Sequence, residues 1–267
     1  MSWGLKAISS ADGLILIDTE TSPNRFAGKA TRTLTSDTGY RLWFNAPYQY
    51  YFDFANHCYK NTYITPAIPS GKIPIIYVYT AIGVYAKING MSLNTDGTWT
   101  VSVFEYPSNS TTQLYCFYDS VNSPESSESF GMRLRDASNN LIFDSGWGIE
   151  CTNYVGTIAG AVGSTCTYPT TITKPAICYN NLRMDGIQAQ YTMYYNYSGS
   201  WIAMVGPFIL TSCVLCGRDI NGRFKTRIQR NFAELYGATA NTFTGANDIT
   251  KQFPIIDCTL YDNLTSY

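Results

Sequence analysis

His57 is the single histidine of the chain, so any Ser-His-Asp or Cys-His relay would have to run through it. Its neighbour Cys58 is a poor partner, because adjacent residues of a strand point to opposite faces. A packed or surface histidine is therefore expected. Cys213-Val214-Leu215-Cys216 has the spacing of half a zinc site or of a redox pair. Zinc takes four ligands, and no second Cys-x-x-Cys or histidine pair accompanies this one. A redox pair ordinarily sits where a strand opens into a helix, a context this chain lacks. Buried apolar cysteines are the expectation, with a disulfide or an assembled metal site as the alternatives. The chain has 19 acidic residues, and no spacing among them singles out a glycosidase pair. Gly156, Gly160 and Gly163 are not followed by the Gly-Lys-Ser/Thr of a phosphate loop. No catalytic centre, cofactor site or metal site is expected.

What does recur is a pattern of local structure. Gly131-Met132-Arg133-Leu134-Arg135-Asp136-Ala137-Ser138-Asn139-Asn140-Leu141-Ile142-Phe143-Asp144-Ser145 repeats, with one residue of adjustment, the N-terminal run from Gly4 to Thr19. Each copy has an apolar/polar alternation, a polar tip, a second apolar run, and an acid followed by a hydroxyl residue. Asp12-Gly13 and Asn139-Asn140 suit the positive φ angles of a tight turn, so each copy predicts a β-hairpin. Asp18 and Asp144 then close the strands and are expected to accept hydrogen bonds from nearby amides. The extra residue of the first copy leaves the register of that hairpin to be fixed.

The pattern of Gly, apolar, basic, a short Asp/Ser-Ala-rich tip, apolar, Ile, apolar and Asp-Ser/Thr resembles a group of β-rich tail-tip and tail-fibre-associated virion proteins of long-tailed bacteriophages. Such chains open with one copy, here after Ser2-Trp3, and carry a second past the middle that ends as Phe143-Asp144-Ser145-Gly146 does. The likeness covers the two hairpins. The tract after Gly148 matches no pattern of the group. The resemblance implies a structural virion protein of the tail tip or a tail fibre, made in the bacterial cytoplasm. Its implied partners are other tail proteins, further copies of itself, and a host-surface receptor or glycan.

Composition agrees with a β protein and removes other classes. With 267 residues, a net charge of −1 and 14% charged residues, the chain is not basic enough to argue for nucleic acid. Its 22 Tyr, 13 Phe and 5 Trp fit half-buried pleated surfaces and contact surfaces alike. No apolar run is long enough for a membrane span, and no export signal precedes the first strand-like residues. The eight cysteines are accordingly expected as thiols.

Turn residues then divide the chain. Ile75 to Tyr79 and Trp99 to Phe104 predict strands, with hairpin turns at Asn89-Gly90 and Asp96-Gly97. Tyr191 to Tyr197 and Trp201 to Val205 predict a hairpin about Ser198-Gly199-Ser200. Asp119 to Ser129, nearly free of apolar residues, reads as a linker between an N-terminal β module (1–118) and a C-terminal one (130–267). Phe224, Ile228, Phe232, Leu235 and Tyr236 fall at helical spacing and predict one short helix over 224–236, although Asn221-Gly222 would also suit a hairpin there. The predicted fold is mainly β, two sandwich-like modules with one short helix near the C-terminus. The aromatic tract holding Trp43, Tyr48, Tyr50, Tyr51, Tyr59 and Tyr63 is the candidate contact surface, with the loops around Ser108 to Thr112 beside it. A lectin-like carbohydrate-binding sandwich, a capsid decoration protein and a hydrolase are the other readings; the lack of any catalytic motif argues against the last.

Overall fold

The computed structural model describes residues 6–8, 15–18, 23–36, 59–106, 111–127, 131–136, 138–158, 164–178, 187–197, 200–205, 210–230, 240–244 and 251–264. These residues are mainly β. Among them, no helix is long and apolar enough to cross a membrane.

One sheet has six strands: β3 (Asn24–Lys29), β6 (Ile75–Thr80), β9 (Thr112–Asp119), β12 (Tyr154–Ile158), β14 (Pro175–Cys178) and β20 (Lys251–Asp257), in the order β12-β20-β14-β6-β9-β3. The other runs β13 (Thr165–Cys166), β18 (Phe224–Arg230), β17 (Leu210–Arg218), β7 (Tyr85–Leu93), β8 (Trp99–Tyr106), β5 (Tyr59–Ile64) and β4 (Thr31–Ser36), with β15 (Ile187–Tyr197), β16 (Ser200–Val205) and β19 (Ala240–Thr244) branching from it. The sheets share a core. Ile76, Val78, Leu114, Ile177, Phe253 and Ile255 of the first pack with Tyr63, Ala86, Val101, Val103, Cys216 and Phe224 of the second.

Alternation along each strand sends the neighbouring residues to the far side of the six-stranded sheet. There Tyr77, Tyr115, Phe117 and Ile256 form a second cluster with Phe26 and Tyr261. Tyr261 lies on a 3-10 turn, Cys258–Tyr261, that caps this face, its ring 5.0 Å from Phe117 at 89°. A sheet covered on both faces needs apolar residues at every position, which is why Ile75 to Tyr79 reads as a continuous apolar run. Beyond the turn, Asp262 is pinned to the sheet by Lys174 at 2.8 Å, by Lys29 at 2.8 Å and by the Tyr115 hydroxyl at 2.6 Å.

Four expectations change. Phe224–Arg230 is strand β18, paired to β17 from Ser212↔Arg230 to Arg218↔Phe224, so this part of the predicted helix 224–236 is a hairpin arm; 231–236 lie outside the described residues. The short helical element near the C-terminus is the 3-10 turn instead. Asn89-Gly90 does not turn the chain, since β7 runs through it with a bulge between Ile88 and Gly90, and the turn falls at Asp96-Gly97. The proposed boundary at 119–129 does not separate sheets, because both large sheets take strands from either side of it. Within that segment Ser120, Ser123 and Ser126 are buried, while Asp119, Asn122, Pro124, Glu125 and Ser127 are exposed. The hairpin predicted about Ser198-Gly199-Ser200 does form, as β15 and β16 with Tyr197 opposite Ser200.

Candidate docking site

Both copies of the sequence repeat are two-stranded antiparallel sheets. In the second, β10 (Arg133–Arg135) pairs with β11 (Leu141–Asp144) as Arg133↔Asp144, Leu134↔Phe143 and Arg135↔Leu141. In the first, β1 (Lys6–Ile8) pairs with β2 (Ile15–Asp18) as Lys6↔Asp18, Ala7↔Ile17 and Ile8↔Ile15. A basic residue is the register partner of the terminal aspartate in each, and each has its irregularity just before the last pair. The register is the same in both, and six residues, 9–14, separate the paired strands of the first copy in sequence against five, 136–140, in the second.

Local chemistry explains the second hairpin. Asp136 Oδ1 accepts the Ser138 and Asn140 amides, both at 2.8 Å, and Asn139 takes a φ of 65°. This is an Asx turn followed by a left-handed asparagine, the geometry its residues favour. Gly131 has a φ of 151°, and a Cβ there would lie 2.2 Å from Ser145 Oγ, which accepts the Met132 amide. The glycine that opens the motif is thus a steric requirement.

What the hairpin docks on is the segment that the sequence marks as a linker. Asp144 is 2% exposed. Its Oδ2 accepts the Ser126 amide at 3.0 Å and Arg133 Nε at 2.9 Å, and its Oδ1 accepts the Ser126 hydroxyl and the Gly146 amide, each at 2.8 Å. Arg133 also donates to the Ser126 carbonyl at 3.1 Å and pairs with Glu125 at 3.1 Å. Burial raises the Asp144 carboxyl pKa, but the Ser126 and Gly146 amides, the Ser126 hydroxyl and Arg133 outweigh it and bring it down to about 2. The chain leaving Asp144 then joins the free edge of β3: the Phe26 amide donates to Gly148 O at 2.6 Å and the Glu150 amide to Asn24 O at 2.8 Å. Trp147 donates to Pro124 O at 3.1 Å and stacks under the Arg25 guanidinium at 5.1 Å. Glu150 is held by Asn24 at 2.6 Å and by the Tyr77 hydroxyl. The site is thus a hairpin whose terminal carboxylate captures a serine backbone while the following residues extend a sheet edge.

Asp262 behaves like Asp144: burial raises its carboxyl pKa, and Lys174, Lys29 and the Tyr115 hydroxyl overcome it to about 2. An unfolded aspartate titrates near about 3.9. Both groups are depressed in the folded chain, so their contribution is complete above pH about 4 and lost as pH falls towards about 2, roughly 2 kcal/mol for Asp144. Thermal melts across this window are expected to show a steep fall in Tm, and a flat Tm from pH 5 to 2 would contradict the assignment.

The residues first considered for chemistry fall elsewhere. Trp43, Tyr48, Tyr50, Tyr51 and His57 lie outside the described residues, as do 108–110. Tyr59 opens β5 opposite Glu105. Tyr63 is a correction to the contact surface: it is 2% exposed and packs in the shared core, because β5 is an interior strand that turns this residue inward. Its hydroxyl donates to Glu105 Oε1 at 2.6 Å, and Asn61 Nδ2 donates to Oε2 at 2.6 Å. Glu105 is itself fully buried, with both oxygens engaged, which is the arrangement of a structural carboxylate. Cys213-Val214-Leu215-Cys216 lies within β17, and a strand does not bring positions three apart to one face. Cys116, Cys166, Cys178, Cys216 and Cys258 are buried thiols and Cys151 is half-buried. Burial pushes Cys116 and Cys216 up to about 12, away from thiolate chemistry. Among the described residues no group of three or more His, Cys, Asp or Glu is placed to hold a metal ion.

Sequence reasoning located Asp144 but not its partners. The signal lies in the serine run itself: hydroxyls and amides with few apolar neighbours suit a buried carboxylate as well as they suit solvent. No family model, curated protein or solved structure matches the chain.

Proposed function

We propose that the chain is a structural virion protein of a tailed bacteriophage, part of the tail tip or a tail fibre, that assembles with further copies of itself and other tail proteins and faces the host surface. The observation that carries this reading is the duplicated hairpin. One copy is closed onto its own chain through Asp144, Ser126 and the edge of β3. The other forms a separate two-stranded sheet with the same basic-to-aspartate register. A second docking device of the same build suits a neighbouring subunit that offers a serine-rich backbone and an open strand edge. The pattern of the two hairpins, which resembles that of tail-tip and tail-fibre-associated proteins, supports the same reading.

The test is substitution of Asp18 in the phage genome, D18A, with the purified variant melted in parallel. Incorporation into particles is expected to fall by about tenfold or more, while Tm of the isolated chain stays within about 2 °C, because loss of one charge-assisted contact of about 1.5–3 kcal/mol acts on assembly. Wild-type incorporation of D18A would contradict the role given to the first hairpin.

A further inference from the structure

The loop around Ile68, the turn at Asp96-Gly97, and Arg25, Tyr118 and Pro124 converge on an open cleft of about 430 Å³. That volume lies within the roughly 300–1,000 Å³ of small-ligand pockets. The wall is built: Arg25 and Tyr118 are directly opposite across β3 and β9, and the Ile68 amide donates to Gly97 O at 2.9 Å, fixing the loop to the turn. Gly97 holds a φ of 81° at that corner.

Arg25 is the unusual member. It is 4% exposed, its Nη1 donates to Pro124 O at 3.1 Å, and its plane lies over Trp147. Among the described residues it forms no ion pair. A guanidinium carries five donors, and a buried cation without a counter-charge is costly. Held by a carbonyl and an indole, it is a fixed fork of the shape that a carboxylate fills. Asp96, also on the wall, is kept ionised by the Thr98 hydroxyl at 2.7 Å and the Thr98 amide at 3.0 Å, both on Oδ1. Its second oxygen accepts nothing among the described residues. An anion on the same cleft wall as a cation disfavours a polyanion and favours a ligand with one carboxylate and several hydroxyl donors. Ala67 and Pro69, both exposed on the lining, supply apolar surface for the C–H face of such a molecule.

We propose that this cleft binds a carboxylated sugar of the hexuronic acid type, its carboxylate on Arg25 and its hydroxyls on Asp96. The site goes beyond the virion reading and does not depend on it: a chain that binds the sugar acid but is missing from particles would keep the site and lose that reading.

The experiment is titration of the full-length ¹⁵N-labelled chain with glucuronate, glucose and acetate at constant ionic strength. Glucuronate is expected to shift the amides of Ser70, Gly97 and Tyr118 saturably, with glucose and acetate each at least tenfold weaker. Arg25→Gln is expected to abolish saturation. Should that variant fail to fold, Asp96→Ala decides, since it alters an exposed residue: it is expected to weaken glucuronate at least threefold and leave acetate unchanged. No saturable shift with glucuronate, equal binding of glucose or acetate, or an Asp96→Ala chain that binds glucuronate as tightly as the native one would each overturn the proposal.

Discussion

Replacing Asp144 with alanine is expected to destabilise the chain by about 3 kcal/mol, because it leaves the amide and hydroxyl of buried Ser126 and the Gly146 amide without their acceptor. The Ser126 amide and hydroxyl, the Gly146 amide and Arg133 Nε all converge on this one carboxylate. Ser126 is itself buried, whereas Arg133 keeps Glu125 and the Ser126 carbonyl as partners. For a chain of this length that loss corresponds to a drop in Tm of roughly 6–12 °C. Amide exchange separates a local from a global effect. The Ser126 and Gly146 amides are expected to lose protection first, with the shared core around Val101 and Leu114 exchanging only on full unfolding. A control at Asp136, which only organises an exposed turn, is expected to cost less than about 1 kcal/mol. Equal losses for the two variants would remove Asp144 from its place at the centre of the docking site.

Gly217→Ala is expected to cost at least about 3 kcal/mol, and for a different reason. A Cβ at Gly217 would stand 2.0 Å from Val84 O and 2.5 Å from Tyr85 Cα. Both are backbone atoms of the neighbouring strand or its approach, so no rotamer relieves the clash. The contact joins β17 to β7 through Gly217↔Tyr85 and Cys216↔Ala86, and the Arg218 amide donates to Val84 O at 3.2 Å. Relief requires β17 to move away from β7, opening the ten-stranded sheet in its middle and uncovering Cys216, which is 1% exposed. A denaturant midpoint within error of the native chain would show that the two strands do not approach as closely as this. The same substitution at Gly90, where nothing lies within 4 Å of the added carbon, is the matched comparison and is expected to be nearly neutral.

The hairpins were legible because they are local. Alternation of period two, a turn-forming pair at the tip (Asp12-Gly13 or Asn139-Asn140) and an aspartate at the end specify a hairpin within fifteen or so residues, and all three signals agree. Sheet membership was not legible, because it is decided by pairings between distant segments: β6 lies between β9 and β14, and β20 between β14 and β12. The expected helix failed for a specific reason. Positions 224, 228 and 232 are spaced by four, which puts them on one face of a helix and also on one face of a strand. Asn221-Gly222, with Gly222 at a φ of 76° and Asp219 Oδ1 accepting the Arg223 amide at 2.9 Å, settles that ambiguity towards a hairpin. Tyr63 illustrates the limit of composition, since an aromatic residue looks alike in sequence whether it packs a core or meets a partner. Arg25 was invisible as a ligand-binding candidate because its wall is assembled from Ile68, Gly97, Tyr118 and Pro124, segments with no common pattern.

The most direct measurement of the central claim is the position of the chain on an intact particle. An antibody against a surface of the folded chain, tagged with gold, would be applied to purified particles of the tailed phage proposed to carry it and located by electron microscopy. Access of the antibody would be verified on partly disrupted particles. Gold at the distal end of the tail is the expected result. Gold spread over the head, or none on any part of the particle, would contradict a tail-tip or tail-fibre protein.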